Sequence, residues 1–412
     1  MSKQQTTMVR AEETAPTTSH VVQTTEELQA HVRVLAALPE GDAPVLSCYL
    51  NIASGKRSWE SRLEGRAALL RQVSTREEIR YLDAALDRIR QVLAEELDGS
   101  TRGVAAFART GGDPFFCCLQ FQAPAPNWVS LDGVPNIYHL IELKDTFDRY
   151  VVLFSTQESA RIFEVHLGAV TCELWLEQPE LRKRVGREWT RLHYQNHRRD
   201  RDRNFVKEKV MTLERLMSGK GYSHLVLAGD PSRLAMIRRE LPKQVQDRVV
   251  DVITAPAGMD EKSVVDMTLA AFVREEEREA HSLVKALVRE LRRDGLAVSG
   301  PSNSLQVLRR GQADALLLAK EWRSVAGWSC DACTWAAAGD ARPDVCADCG
   351  ATELREHDAR EELVRLAEQT GSHVEVVAGS EALDELGGCG CLLRFRDWGA
   401  PSGDPRTEEK VS

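Results

Sequence analysis

The stretch ADALLLAKEWRSVAGWSCDACTWAAAGDARPDVCADCG (313–350) opens on an apolar run and ends in four cysteines. Cys330 and Cys333, then Cys346 and Cys349, form a C-x₂-C-x₁₂-C-x₂-C array. Each C-x₂-C pair can put two thiolate sulfurs on one ion through a tight knuckle, and two knuckles complete a tetrahedral Zn²⁺ site. A closed four-cysteine site has no open coordination position, so the zinc reads as structural and not catalytic. The connecting stretch 334–345 is too small and polar for a core of its own, so metal binding would supply most of this insert's folding energy. The plainer alternative is four buried cysteines that happen to be so spaced.

Working outward, ADALLLA (313–319) has the apolar density of a buried strand and is preceded by GLAVSG (295–300) and a helix around 304–310. Beyond the cysteines come a helix over 359–371, a strand HVEVV (373–377), a helix over 380–386 and a strand CGCLLRF (389–395). Upstream, YVVLFS (150–155) reads as a buried strand, and 161–167 with 169–176 as a hairpin turning on Gly168. A helix follows over 202–217, with Val206, Val210, Leu213 and Met217 on one face. HLVLAGD (224–230) is a strand running into Pro231 and a helix, VVDVITAP (249–256) is another strand, and 260–294 is one long helix. Nearer the N-terminus, 26–33 reads as helix, APVLSCYLNI (43–52) as a strand and 59–97 as helix. GVAAFA (103–108) and FFCCLQF (115–121) are two further strands. These elements predict an α/β chain with a disordered tail over 1–24, domains over 25–145, 146–278 and 279–397, and a second tail over 398–412.

The bulk properties agree with a multi-domain protein, since 412 residues exceed what one core supports. No apolar run approaches the ~18 residues of a membrane span. The N-terminus lacks the apolar region of a secretory signal. Cys48, Cys117, Cys118, Cys172, Cys389 and Cys391 lie in apolar or strand-like stretches and read as free thiols, which suits a reducing cytoplasm. A net charge of −9 argues against a non-specific nucleic-acid coat but allows a local basic patch.

Such a patch is present. Arg182, Lys183, Arg184, Arg187, Arg191, Arg198, Arg199, Arg201 and Arg203 crowd one segment, interleaved with Trp189, His193, Tyr194 and His197. Guanidinium groups engage phosphates and aromatic faces stack on unpaired bases, so this composition suits RNA. The competing reading is a solvated charged face. There is no P-loop, no G-x-G-x-x-G after a strand, no H-E-x-x-H and no G-x-S-x-G. Gly229-Asp230-Pro231-Ser232 reads as a helix cap, and His166, His224, His281, His357 and His373 give no ligand pattern.

The segments GLAVSGPSNSLQVLRRGQADALLLAKEW and HVEVVAGSEALDELGGCGCLLRF, with the cysteine array between them, resemble the C-terminal domain of archaeal-eukaryotic class-1 translation release factors and Pelota, in particular their bacterial relatives. YVVLFSTQESARIFEVHLGAV and HLVLAGDPSRL resemble the middle domain of the same family, and VLSCYLNI its first core strand. The resemblance covers roughly 40–397 and is most specific in the C-terminal part. It implies an RNase-H-like middle domain over 146–278 and a kink-turn-protein-like α/β/α C-terminal domain, with a zinc ribbon inserted over 328–350. It also implies a cytoplasmic ribosomal A-site binder contacting rRNA, P-site tRNA and a translational GTPase, with no membrane and no small-molecule substrate. Release factors carry Gly-Gly-Gln where this chain has only Gly186 followed by Arg187-Glu188-Trp189. EWTRLHYQ resembles a Gly-Gly-Trp variant of some bacterial relatives, with Trp189, Tyr194 and Gln195 at the matching positions. Gln195 is the one candidate catalytic residue, as a water-positioning group for peptidyl-tRNA hydrolysis. The readings that remain are a non-catalytic ribosome factor in hibernation, stalling response or rescue, a peptidyl-tRNA hydrolase, and a zinc-ribbon RNA-binding scaffold outside the ribosome. Asn51-Ile52-Ala53-Ser54 is similar to a stop-codon-reading motif but lacks its lysine and is read as the end of a buried strand.

Overall fold

Apolar runs closed by Gly, Pro or Asp clusters become strands throughout this chain, and amphipathic runs opened by Thr, Asp or Ser become helices. The computed structural model describes residues 18–177, 191–219, 221–333 and 335–395, with the side chains of residues 18, 54, 56, 57 and 191–198 left aside. The described chain falls into two units, one of residues up to 22 and 37–139, the other of 23–36 and 140 onward.

The first unit holds β1 (Thr18–Val21), β2 (Val45–Asn51), β3 (Gly103–Arg109), β4 (Phe115–Phe121) and β5 (Trp128–Asp132) in the sheet order β1-β4-β3-β2-β5. Only the β1–β4 pair is parallel. The helix between β1 and β2 in sequence, α1 (Thr25–Ala37), is grouped up to residue 36 with the second unit. Two helices, α2 (Lys56–Val73) and α3 (Arg76–Glu95), cover one sheet face. Leu46, Cys48 and Leu50 of β2 meet Leu63 of α2 and Leu82, Leu86 and Ile89 of α3 in one buried cluster. The alternation of those β2 residues is the period-2 signature of a strand with one face toward the helices.

Three expectations change here. The helix expected over 59–97 is two helices, because the chain turns extended at Ser74, which closes α2, and Thr75 starts the next. The Thr75 hydroxyl accepts the Glu78 N–H at 3.3 Å, and the Glu78 carboxylate accepts the Thr75 N–H at 2.7 Å. This reciprocal capping box satisfies two amides that a helix start leaves open. The tail expected over 1–24 ends earlier, since Thr18–Val21 pairs with β4; residues 1–17 and 396–412 lie outside the described residues. The strand expected to run through residue 52 stops at Asn51, and Ile52–Ser54 form a 3₁₀ turn.

The second unit continues through α4 (Tyr138–Thr146) into β6 (Tyr150–Ser155), β7 (Ser159–His166) and β8 (Ala169–Glu177). Next come α5 (Arg191–Gly219), β9 (Leu225–Gly229), α6 (Pro231–Glu240), α7 (Lys243–Gln246), β10 (Val249–Thr254) and α8 (Glu261–Arg292). The sheet order is β10-β9-β6-β7-β8, with β6, β9 and β10 parallel and the β6–β7–β8 meander antiparallel. Its central strands β6 and β9 are buried on both faces. Val151 and Leu153 pack against Val206, Val210 and Leu213 of α5. Tyr150, Val152 and Phe154 pack against Val264, Val265 and Phe272 of α8. Gly229 has φ +129°, and a Cβ there would lie 2.1 Å from the Ser155 carbonyl oxygen, so the β6–β9 approach admits only glycine. Asp230 caps α6 by accepting the Ser232 and Arg233 N–H groups at 2.9 and 3.1 Å.

The chain then makes β11 (Ala297–Ser299), α9 (Pro301–Arg309), β12 (Ala313–Ala319), β13 (Ala326–Cys330), β14 (Ala336–Ala338), β15 (Leu354–Asp358), α10 (Ala359–Thr370), β16 (His373–Val377), α11 (Glu381–Glu385) and β17 (Cys389–Leu393). The larger sheet is β11-β17-β12-β16, and β13, β14 and β15 form a separate three-stranded sheet in the order β14-β13-β15. Ala280, Val284 and Leu287 of α8 join Leu317, Val377 and Leu383 in the core of this region. Among the described residues, no helix is long and apolar enough to cross a membrane.

Replacing Thr75 by Ala should lower stability by about 1 kcal/mol, and Thr75→Ser should restore nearly all of it. Chemical denaturation of both variants checks this; equal losses in both would mean that the box does not define the α2–α3 break.

Candidate functional site

The four cysteines do converge. One Sγ from each of Cys330, Cys333, Cys346 and Cys349 lies within 4.8 Å of the others. Cys330 and Cys349 are 3.6 Å apart, and Cys333 and Cys346 are 3.5 Å apart. Backbone turns hold the knuckles: Cys330 N–H donates to the Trp335 carbonyl at 3.1 Å and Gly350 N–H to the Cys346 carbonyl at 2.9 Å. The Trp335 N–H points at Cys333 Sγ, 3.4 Å away, as amides do around a thiolate that binds metal. Burial would raise the Cys346 thiol, yet the amides of Cys349 and Asp348 and the neighbouring thiols bring it down to about 7. The donor set therefore fits one metal ion.

The insert is better packed than its sequence promised. Trp335, within the stretch read as too small and polar for a core, is buried with Trp328, Leu354, Cys330 and Cys346. Arg309 of α9 fastens the insert from below, its guanidinium donating to the Trp335 and Cys330 carbonyls at 3.3 Å each. Ser302 Oγ donates to the Ala338 carbonyl at 3.2 Å and accepts the Ala338 N–H at 2.9 Å. The six remaining cysteines form no disulfide; Cys48, Cys118, Cys389 and Cys391 are buried, while Cys117 and Cys172 are half-buried.

The basic segment is only partly in view. Arg182, Lys183, Arg184, Arg187 and Trp189 lie outside the described residues. Arg191, Tyr194, Gln195 and Arg198 fall on the first two turns of α5, which starts eleven residues before the expected helix. Arg199 and Arg203 are exposed, whereas Arg201 is half-buried. Asp200 and Asp202 are interspersed, and Asp202 pairs with Arg233 at 3.4 Å, so this stretch of the helix is of mixed sign.

Below the arginines, α5 carries a residue that the sequence reading passed over. Lys209 is fully buried, and its ammonium donates to Ser155 Oγ at 2.7 Å and lies 4.0 Å from the centre of the Phe205 ring. It pins α5 to the end of β6. Phe205, Val206, Lys209, Val210 and Leu213 recur at helical spacing, so a lysine on an otherwise apolar stripe was the available signal. Burial first, then the nearby Arg233, lowers its pKa to about 8.

The histidines also require a correction. His373, expected to belong to no ligand pattern, stands with Asp145 and Glu375 in a second group whose donor atoms lie within 4.8 Å of one another. Burial and the charge of Glu375 push the Asp145 carboxyl well above the usual carboxylate range. His166 instead shares a buried hydrogen bond of 2.9 Å with the Tyr222 hydroxyl.

Solved structures similar to the chain include the archaeal translation termination factor aRF1, 16% identical over 90% of this chain and 98% of that one, with a TM-score of 0.25. Pelota from Archaeoglobus fulgidus is 13% identical over 92% and 95% of the two chains, with a TM-score of 0.36. A model of ribosome-bound archaeal Pelota and ABCE1 gives 14% identity over 92% and 96%, with a TM-score of 0.40. No curated protein sequence matches the chain. Residues 135–273 match the family model of the bacterial archaeo-eukaryotic release factor family 10. The family-model match falls on α4, the β6–β10 region and the first part of α8.

Because the folded pKa of Lys209 lies below its unfolded value of 10.5, burial exacts its full penalty below about 8 and releases it as pH rises toward 10.5. Stability should therefore gain more between pH 8 and 10 in the parent protein than in Lys209→Met. Denaturation midpoints of the two proteins across that range provide the check, and parallel curves would exclude a charged, desolvated Lys209.

Proposed function

We propose that the chain is a cytoplasmic, ribosome-associated translation factor that occupies the A site in hibernation, stalling response or rescue, without efficient peptide release. The observation that carries this reading is the family match over 135–273, which brackets the β6–β10 sheet and the basic segment together. An archaeal Pelota is ribosome-bound with ABCE1 in its own model, which supports the ribosome as partner; a translational GTPase is the candidate delivery partner. The strand order β10-β9-β6-β7-β8, with its parallel pairs and antiparallel meander, supports an RNase-H-like domain over 146–278. The sheet β11-β17-β12-β16 with its helices supports a kink-turn-protein-like domain over 279–397, and the cysteine cluster supports a zinc ribbon over 328–350.

The sequence around Gln195 lacks the features of a releasing loop. The chain's two Gly-Gly pairs, 111–112 and 387–388, are followed by Asp113 and Cys389. Gln195 sits in α5, where the helical ladder occupies the backbone groups that a Gly-Gly-Gln loop would present to a tRNA end. Glu188 adds negative charge beside a phosphate-rich target. Loss of positioning can cost on the order of 10²-fold in rate. The exposed Arg199 and Arg203 supply the phosphate contacts of an RNA interface.

Three experiments test this. The protein should sediment with ribosomes, and an Arg199→Ala, Arg203→Ala double variant should bind more weakly with a salt slope shallower by roughly 1–2. An unchanged slope would return the helix to a solvated face. Added at saturation to ribosomes carrying labelled peptidyl-tRNA, the protein should release little peptide; rapid release that vanishes in Gln195→Ala would favour the hydrolase reading. Purified protein should also retain one tightly held Zn²⁺, lost in Cys333→Ser, and a metal-free yet fully folded insert would refute the zinc ribbon.

A further inference from the structure

Strand β16 is an edge strand of the β11-β17-β12-β16 sheet, and His373 and Glu375, two residues apart on it, share a face. The last turn of α4 brings Asp145 against that edge, where Oδ2 accepts the Val376 N–H at 2.9 Å. His373 Nε2 lies 3.1 Å from Glu375 Oε2, and the donor atoms of Asp145, His373 and Glu375 are all within 4.8 Å of one another. The three open on a cavity of about 490 Å³ that is also lined by Lys144, Asp148, His224, Glu276 and Glu279.

The charges on this cavity do not balance. Five carboxylates face it, and Lys144, its one ammonium, also binds Gln29 and approaches Glu368 at 4.0 Å. The Glu375 side chain is only 9% exposed. Two carboxylates held this close in a desolvated site need a shared proton or a cation. Capping the open edge of β16 explains Asp145 alone. It uses one of the two Asp145 oxygens and gives no reason for an imidazole and a second buried acid to converge there.

We propose that Asp145, His373 and Glu375 form a binding site for a divalent transition-metal ion, of the Mn²⁺ or Zn²⁺ type, that clips the end of α4 to the edge of β16. Two oxygens and one imidazole nitrogen suit these ions, and the 3.1 Å between His373 Nε2 and Glu375 Oε2 is a spacing that two ligands at about 2 Å from one ion adopt. Three protein ligands leave further positions for water from the cavity. The site is independent of the cysteine cluster and of the ribosomal reading.

Mn²⁺ is the probe of choice, because its preference for oxygen and nitrogen over thiolate separates this site from the cysteines. Titrating the full-length, zinc-loaded protein with Mn²⁺ and following the free ion by electron paramagnetic resonance should reveal one saturable site. His373→Ala, which alters an exposed side chain, and Asp145→Asn, which keeps the acceptor for Val376, should each weaken it by on the order of tenfold or more. Cys333→Ser should leave Mn²⁺ binding unchanged. Thermal unfolding without Mn²⁺ verifies that the variants are folded, and Mn²⁺ should raise the melting temperature of the parent but not of His373→Ala. No saturable Mn²⁺ binding, or equal affinity in parent and variants, overturns the proposal and leaves a carboxyl pair that shares a proton.

Discussion

Helix α8 is the element on which the second unit depends. At 32 residues it extends roughly 48 Å at the usual rise per residue. Its first half lays Val264, Val265 and Phe272 on the β6–β10 sheet, and its second half lays Ala280, Val284 and Leu287 on the sheet that contains β12 and β17. Two cores are therefore built on one continuous hydrogen-bonded rod. The acidic run at its centre, Glu275 to Glu277, falls where the buried stripe passes from one core to the other. Asp260 opens the helix by accepting the Ser263 N–H at 3.2 Å, and Arg289 and Arg292 sit in its last turn, where cations complement the helix dipole.

Central strands buried on both faces set the character of the β6–β10 region. β6 and β9 cannot alternate apolar and polar residues, and YVVLFS and LVLAG accordingly read as continuous apolar runs. The same property places demands on the ends of the strands. Where β6 and β9 approach most closely the chain requires Gly229, and at the end of β6 the Ser155 hydroxyl receives the buried Lys209 ammonium. The basic turns of α5 thus stand on a helix held by an apolar stripe and one desolvated charge.

Much of this was legible locally. The strands at 115–121, 150–155, 313–319 and 373–377 carry their own apolar runs and their own punctuation, and the structure reproduces those bounds. The cysteine cluster was legible because each knuckle is complete within four residues. The α2–α3 break was missed because continuing amphipathy on either side hid Thr75-Arg76-Glu77-Glu78, although the capping pattern was present. The strand β5 and helix α4 were missed because they are short, five and nine residues, so neither shows a sustained period of its own. Asp145, His373 and Glu375 could not be found this way at all. Two of them share a strand, but the third arrives from far upstream, and only the edge of β16 brings them together.

The way the cysteine insert joins the fold has a further consequence. Ala326, at the start of β13, pairs with Asp358, at the end of β15, so the chain enters and leaves the insert side by side. Everything between those two residues is a closed excursion between β12 and α10. Shortening, replacing or grafting it would leave the register of the larger sheet untouched, because no strand of that sheet runs through it. The excursion is therefore a natural splice point, at which an exchanged module would have to replace only the partners that Ser302 and Arg309 of α9 find in the present one.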